Sequence, residues 1–304
     1  MPELPEVEVV RSGLAPFVTG ASVLGAEILD ARSLKRHHPS GGDFEKCVTG
    51  RVLSTPTRRG KFLWIGFVDD PDHALLAHLG MSGQLLIDEP GSADKPLARI
   101  LLHLLAPTGA GSHSSEWVLS FVDQRLFGSL AVDDLVATAD GQPGGKGSSD
   151  PRVPSQVAHI ARDVLDSAFD RDLFERAVSA RRSGIKRVLL DQSVISGIGN
   201  IYADEALWAA QLHYDQPAST LSHEQMSVLI HEIQSVFERA LAEGGTSFDS
   251  QYVNVNGRSG YFSRSLQAYG RAGEPCPRCG TLINRDKFMN RSSFYCPHCQ
   301  QLRK

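Results

Sequence analysis

The sequence predicts an α+β chain with an N-terminal β-sandwich entered through a leading helix, a helical domain, and a C-terminal ribbon built on four cysteines. Three observations carry this. From about residue 20 to 133 short β-like runs alternate with turn residues; from about 158 the pattern becomes helical; and the last thirty residues hold two Cys-x-x-Cys pairs. A length of 304 residues suits about two domains of roughly 150 residues each. Apolar (41%) and charged (22%) contents are those of a globular protein, which excludes fibrous and wholly disordered classes. No run approaches the roughly 20 apolar residues of a membrane span, and the start lacks a basic, then apolar, leader, so a cytoplasmic protein without membrane partners is expected.

The chain opens "MPELPEVEVVRSGLAPFV". Val7, Val10 and Leu14 stand at helical spacing, and the early prolines and glutamates suit a helix N-terminus, where a missing N–H costs nothing and negative charge is favoured. "SVLGAEIL", "GRVLSTPTRRGKFLWIGF", "HALLAHL", "QLLI", "ARILLHLL", "EWVLSFVD" and "GSLAVDD" follow as strands at close spacing, the pattern of a sandwich or barrel, giving a first domain over 1–136. The Gly-, Pro- and Ser-rich stretch 137–157 has no apolar periodicity and reads as a linker. Residues 158–245 form the helical domain, in which "SVISGIGN" suits two consecutive tight turns between helices, with Asn200 opening the second helix. Such turns can offer backbone N–H groups to a phosphate, although simple helix capping would use the same residues. A long polar loop, 246–264, leads into the last module, 265–304.

In that module Cys276-Pro-Arg-Cys279 and Cys296-Pro-His-Cys299 have the spacing of a zinc ribbon, each pair supplying two thiolates to one tetrahedral ion. Four cysteines close the coordination sphere, so the ion is expected to be structural. The loop it staples carries Arg285, Lys287 and Arg291 among Phe288, Phe294 and Tyr295, placing cations where phosphates can meet them and leaving the aromatics as a small hairpin core. Net charge supports this reading. The whole chain is −4, but residues 244–304 hold nine Lys/Arg against three acids, so a basic end follows an acidic body.

"MPELPEVE", "RRGKFLW", "HLGMSGQL", "DQRLFG", "GIGNIYADEALW", "GGT" followed by "SGYF", "YGRAGEPC" and the final cysteine pairs occur in one order along nearly the whole chain. In this it resembles the formamidopyrimidine-DNA glycosylases, bacterial base-excision repair enzymes. The resemblance implies a monomeric bifunctional glycosylase and abasic-site lyase, acting on oxidised purines in double-stranded DNA and holding one structural zinc. It also implies roles. After removal of Met1, Pro2 would present the amine that forms a Schiff base with the sugar; Glu3 would move protons, with Glu6 supporting the site. Lys61 would serve β-elimination and Arg291 δ-elimination. Lys186, Asn200 and Arg181 would bind phosphates, and Glu205 would support the site. Met81, Arg125 and Phe127 would fill the space left by an extruded base, and the 246–264 loop would cover that base. Two alternatives stand beside this: an endonuclease VIII-like enzyme for oxidised pyrimidines, and a zinc-dependent DNA-binding protein without catalysis.

Overall fold

The computed structural model describes residues 2–91, 96–107, 116–246, 255 and 260–303. The chain divides into two compact units: one comprises residues 1–2, 6–159 and 246–260, the other 3–5, 160–245 and 261–304. Helix α1 (Leu4–Val18) therefore belongs to both, its first two residues to one unit and the remainder to the other.

The first unit is a sandwich of two antiparallel sheets. Its strands are β1 (Ser22–Ile28), β2 (Leu53–Arg59), β3 (Phe62–Phe67), β4 (His73–His78), β5 (Gly83–Asp88), β6 (Ala98–Leu105), β7 (Glu116–Asp123), β8 (Ser129–Ala137) and β9 (Arg152–Pro154), with the short helix α2 (Phe44–Val48) between β1 and β2. One sheet has the order β1-β6-β7-β5, the other β2-β3-β4-β8-β9. Along β6 the buried positions alternate, as a half-buried strand requires: Ile100, Leu102 and Leu104 face the core, and Ala98 packs in a smaller cluster with Leu86 and Val122. Leucines from the second sheet (Leu53, Leu63, Leu75) join the same core, together with Val7, Val10, Leu14 and Val18 of α1. Helical spacing thus reported the correct face of α1. Gly13 lies on that face because a Cβ there would stand 2.5 Å from Val255 Cγ2.

Residues 137–157 are not a linker. β9 pairs with β8 through Val136↔Val153, and Lys146 and Arg58 exchange backbone hydrogen bonds of 2.9 and 3.0 Å. The glycines that read as spacers permit close backbone approach: a Cβ on Gly144 would overlap the carbonyl oxygen of Arg152, and one on Gly145 that of Arg58.

The second unit is built from α3 (Arg171–Ser179), α4 (Ile185–Leu189), α5 (Asn200–Ala209) and α6 (His223–Ala242), followed by the hairpin β10 (Asn284–Phe288) and β11 (Arg291–Tyr295). Helix α6 begins with a reciprocal cap: Gln225 N donates to Ser222 Oγ (3.2 Å) while Ser222 N donates to Gln225 Oε1 (2.9 Å). It buries Met226, Leu229, Ile233, Val236 and Phe237 at three- and four-residue steps against Tyr202 and Phe262. Leu4, fully buried, belongs to this core. Among the described residues no helix is long and apolar enough to cross a membrane.

Candidate active site, DNA-contact residues and zinc module

Pro2 is buried in the first unit. Glu6, 1% exposed, accepts from both the backbone N and the Oγ1 of Thr246, each at 2.8 Å, which fixes the end of α6's trailing segment against α1. Lys61 follows Gly60 at the tip of the β2–β3 hairpin, where Gly60 adopts φ 55°. Below this tip Arg58 is 2% exposed and donates to Glu8 Oε2 (2.8 Å) and to the Gly60 carbonyl (3.2 Å), while Arg11 also binds Glu8 (2.7 Å). Burial works against charge on Glu8, but the two guanidinium groups outweigh it and hold the carboxyl below its ordinary range. His78 pairs with Phe62 across the sheet and packs on its ring at 4.8 Å. Burial, with Arg36, Lys61 and Lys35 nearby, pushes its pKa down to about 4, so a neutral imidazole underlies a cationic surface.

Met81 lies in the turn before β5 and is 41% exposed; Phe127 lies in the turn between β7 and β8 and is 49% exposed. Arg125, also exposed, stacks its guanidinium over Phe127 at 5.0 Å. Arg99 donates to the Asp123 carbonyl (2.8 Å), with Asp30 at 3.5 Å.

In the second unit the turns before α5 serve a carboxylate of the chain itself. Glu3, 1% exposed, accepts from Gly199 N (2.5 Å), Ile201 N (3.0 Å) and Tyr202 N (3.4 Å), and Leu4 N donates to the Gly197 carbonyl (3.0 Å). The N–H groups expected to meet a phosphate are therefore taken by Glu3, whose negative charge sits at the positive end of α5. The two glycines are the receptor: Gly197 has φ 89° with Leu4 packed against it, and a Cβ on Gly199 would overlap the Glu3 carboxyl.

Lys186 does not reach the surface as a phosphate contact would. Its ammonium is wholly buried, 2.7 Å from Asp204 Oδ1, and donates to Ser293 Oγ (2.8 Å) and the Ser292 carbonyl (3.1 Å), with Phe288 beneath it at 4.8 Å. A lysine so enclosed is not a phosphate contact. Burial lowers the Lys186 pKa and raises that of Asp204 to about 7, with each partner opposing the other's shift. Asn200 Nδ2 donates to the same Ser292 carbonyl (3.1 Å), and Phe294 N donates to Asp204 (3.0 Å). These three residues thus grip β11, which begins at the exposed Arg291. Glu205, buried, accepts from Gln267, Ala268 and Tyr269 N at 2.8–2.9 Å and pins the approach to the zinc module. Arg181 remains half exposed, with Asp191 at 3.4 Å.

The hairpin aromatics do not form a core of their own. Phe288 and Tyr295 pack on Tyr214, and Phe294 packs on Tyr269. The Sγ atoms of Cys276, Cys279, Cys296 and Cys299 all lie within 4.8 Å of one another. Zinc–sulfur bonds of about 2.3 Å in a tetrahedron set sulfur–sulfur edges of about 3.8 Å, so the cluster fits one zinc ion held by four thiolates, with no coordination position left for water. Trp208 Nε1 donates to Cys276 Sγ (3.4 Å), and Arg278 donates to the Trp208 and Ala209 carbonyls (3.0 and 3.2 Å), tying this module to the end of α5. Of the residues expected to cover a flipped base, 247–254 and 256–259 lie outside the described residues.

Residues 1–130 match the formamidopyrimidine-DNA glycosylase N-terminal domain, 160–251 the formamidopyrimidine-DNA glycosylase H2TH domain, and 273–302 the zinc finger found in FPG and IleRS. A formamidopyrimidine-DNA glycosylase of Leifsonia xyli is 61% identical over 302 residues, covering 99% of this chain and 100% of that one; one of Thermobifida fusca is 53% identical over 300 residues, covering 99% and 97%. Among solved structures, Lactococcus lactis Fpg bound to DNA containing an abasic site superposes with TM-score 0.78 at 26% identity, covering 98% of this chain and 99% of that one. The same TM-score and identity hold for the wild-type Lactococcus enzyme with DNA containing an oxidised pyrimidine, there covering 99% and 100%. With matches along all of its parts and a relative this close over its full length, the chain belongs to the formamidopyrimidine-DNA glycosylase family.

Proposed function

We propose that this chain excises oxidised purines from duplex DNA and cleaves the resulting abasic strand through a Schiff base on Pro2. The family membership makes it a DNA glycosylase for oxidised bases in base excision repair, and abasic-site lyase activity is typical of that family. The observation that carries the residue-level reading is the attachment of Glu3, the neighbour of Pro2, by three backbone N–H donors at the start of α5. Few terminal segments are held so firmly, and an amine that must meet one carbon atom gains directly from being held.

Once Met1 is removed, Pro2 carries a secondary amine whose ordinary pKa, about 8, leaves a neutral fraction at physiological pH. Its lone pair attacks the sugar C1′; a nitrogen–carbon bond forms as the glycosidic bond breaks and the base leaves with the bonding pair and a proton. The nitrogen's own proton is lost, and opening of the sugar ring gives the iminium. Glu3 is the group beside Pro2 that can carry these protons. The iminium acidifies the C2′ proton, and its loss expels the 3′ phosphate by β-elimination. A second elimination expels the 5′ phosphate. Lys61 and Arg291 are assigned to these two eliminations, and Arg181 and the Lys61–Arg36 surface to phosphates. Lys186, Asp204 and Asn200 act structurally, by holding the strand that begins with Arg291. The zinc ion, held by the four cysteines, stabilises the hairpin's fold. Damaged duplex DNA is the partner, and chromosomal DNA in the cytoplasm is the proposed place of action.

Leu4 and the set Met81, Arg125 and Phe127 favour the purine reading over the endonuclease VIII-like one. Steady-state cleavage of otherwise identical duplexes carrying 8-oxoguanine or thymine glycol tests it. Faster cleavage at 8-oxoguanine is expected; a strong preference for thymine glycol refutes the assignment.

A further inference from the structure

The three exposed side chains Met81, Arg125 and Phe127 come from two separate turns, and one buried residue joins those turns. Asp123, the last residue of β7, is fully buried. Its Oδ1 accepts from Ser82 Oγ (2.6 Å) and from Arg125 N (3.1 Å), and its Oδ2 accepts from Gly128 N (2.7 Å). Ser82 Oγ in turn accepts from Arg125 N (3.2 Å). One carboxylate thus ties the residue after Met81 to both ends of the Arg125–Phe127 segment.

The backbone of the two turns is fitted together independently of these bonds. Gly80 has φ 62°, and a Cβ there would stand 2.5 Å from Gly128 N and 2.7 Å from the Phe127 carbonyl oxygen. Between Arg125 and Phe127, Leu126 adopts φ 56°, a conformation that a branched side chain rarely takes, and its carbonyl accepts from Lys35 Nζ (2.8 Å). Such backbone persists only where its surroundings fix it. Hydrogen bonds accepted by a buried carboxylate are of the strong, charge-assisted kind.

We infer that Asp123 is a positioning residue that joins the Met81 turn and the Arg125–Phe127 turn into one preformed wedge, inserted into the duplex as a unit. This rests on the proposed void-filling role of those three side chains. Asp123 touches no DNA; it acts by fixing where the prongs stand before binding, so that the free protein carries no ordering cost for them at insertion. Opening a base pair needs the wedge, whereas an abasic site in single-stranded DNA leaves nothing to fill.

The test compares single-turnover cleavage of an 8-oxoguanine duplex with borohydride trapping on a single-stranded abasic oligonucleotide, in full-length protein. Asp123→Asn keeps the shape but turns an N–H donor toward a backbone N–H. Its duplex-to-single-strand rate ratio is expected to fall on the order of tenfold or more, since misplacement of a positioning group by about 1 Å costs up to about a hundredfold. Ser82→Ala, which removes both bonds of the hydroxyl and leaves those of Asp123 to Arg125 N and Gly128 N in place, is expected to lower the same ratio by about threefold. Phe127→Ala tests the underlying reading, and in that background Asp123→Asn is expected to lower the ratio further by less than about threefold, because the two act through one device. If Phe127→Ala lowers the ratio while Asp123→Asn and Ser82→Ala leave it unchanged, or if the losses multiply fully, the inference is overturned. If Phe127→Ala leaves the ratio unchanged, the void-filling role itself fails and the inference falls with it.

Discussion

Replacing Gly199 by alanine tests the seat of Glu3 with a single carbon. The added Cβ would overlap the Glu3 carboxyl, and neither side can yield freely, because Glu3 is 1% exposed and bonded to Gly199, Ile201 and Tyr202 N. Forcing an extra carbon into packed space costs about 1–3 kcal/mol. Losing one of the three donors to a buried carboxylate adds about 1.5–3 kcal/mol. The sum is about 2.5–6 kcal/mol, which for a unit of this size lowers the melting temperature by roughly 5–20 °C. Catalysis should suffer more than folding, since moving Glu3 and the adjoining Pro2 by about 1 Å costs on the order of a hundredfold in rate. Thermal unfolding and single-turnover borohydride trapping on abasic duplex measure the two effects. A double-mutant cycle sharpens the test. With Glu3→Ala already in place the overlap is gone, so Gly199→Ala should then cost less than about 1 kcal/mol. Wild-type melting and trapping in Gly199→Ala, or fully additive destabilisation in the cycle, would refute the reasoning.

Lys186→Met alone leaves Asp204 buried without its cation and should destabilise by about 3–5 kcal/mol, whereas Lys186→Met with Asp204→Leu should recover much of that; chemical denaturation of the three variants checks it. Because the pKa of His78 is held down to about 4 from an ordinary 6.5, its contribution to stability is complete above pH 6.5 and is lost as pH falls toward 4. That depression corresponds to about 3 kcal/mol, so melting temperature plotted against pH should fall less steeply over this window in His78→Gln than in wild type. Zinc analysis should give one ion per chain, and Cys299→Ala should lose both the ion and hydrogen-exchange protection across β10 and β11; retained protection without zinc would contradict a structural role.

Much of the fold was legible because its signals are local. Short β-like runs such as "ARILLHLL" between turn residues identified strands, the spacing of Val7, Val10 and Leu14 identified the buried face of α1, and the two cysteine pairs identified the metal cluster. Met81, Arg125 and Phe127 sit exposed in turns. What the sequence hid was tertiary. The glycines of 137–157 look like spacers, yet they seat one backbone against another; nothing local distinguishes the two uses. "GIGN" has the composition of an anion site, and it is one, but the anion is Glu3 from the other end of the sequence. Lys186 and Asp204 are eighteen positions apart, on different helices, so no short-range rule pairs them. Asp123 was missed although it stands two residues before Arg125; an acid followed by a left-handed turn and Gly128 is the pattern of a carboxylate folding back on its own loop, and that pattern was available to be read.

Covalent capture of Pro2 is the claim on which the chemistry turns. Borohydride reduction of the reacting complex, followed by proteolysis and mass analysis of the N-terminal peptide, locates the bond. A deoxyribose-derived adduct is expected on the nitrogen of Pro2, with Met1 absent, and none in Pro2→Gly under conditions where that variant still binds duplex. An adduct on a lysine, or full activity from protein that retains Met1, would contradict it.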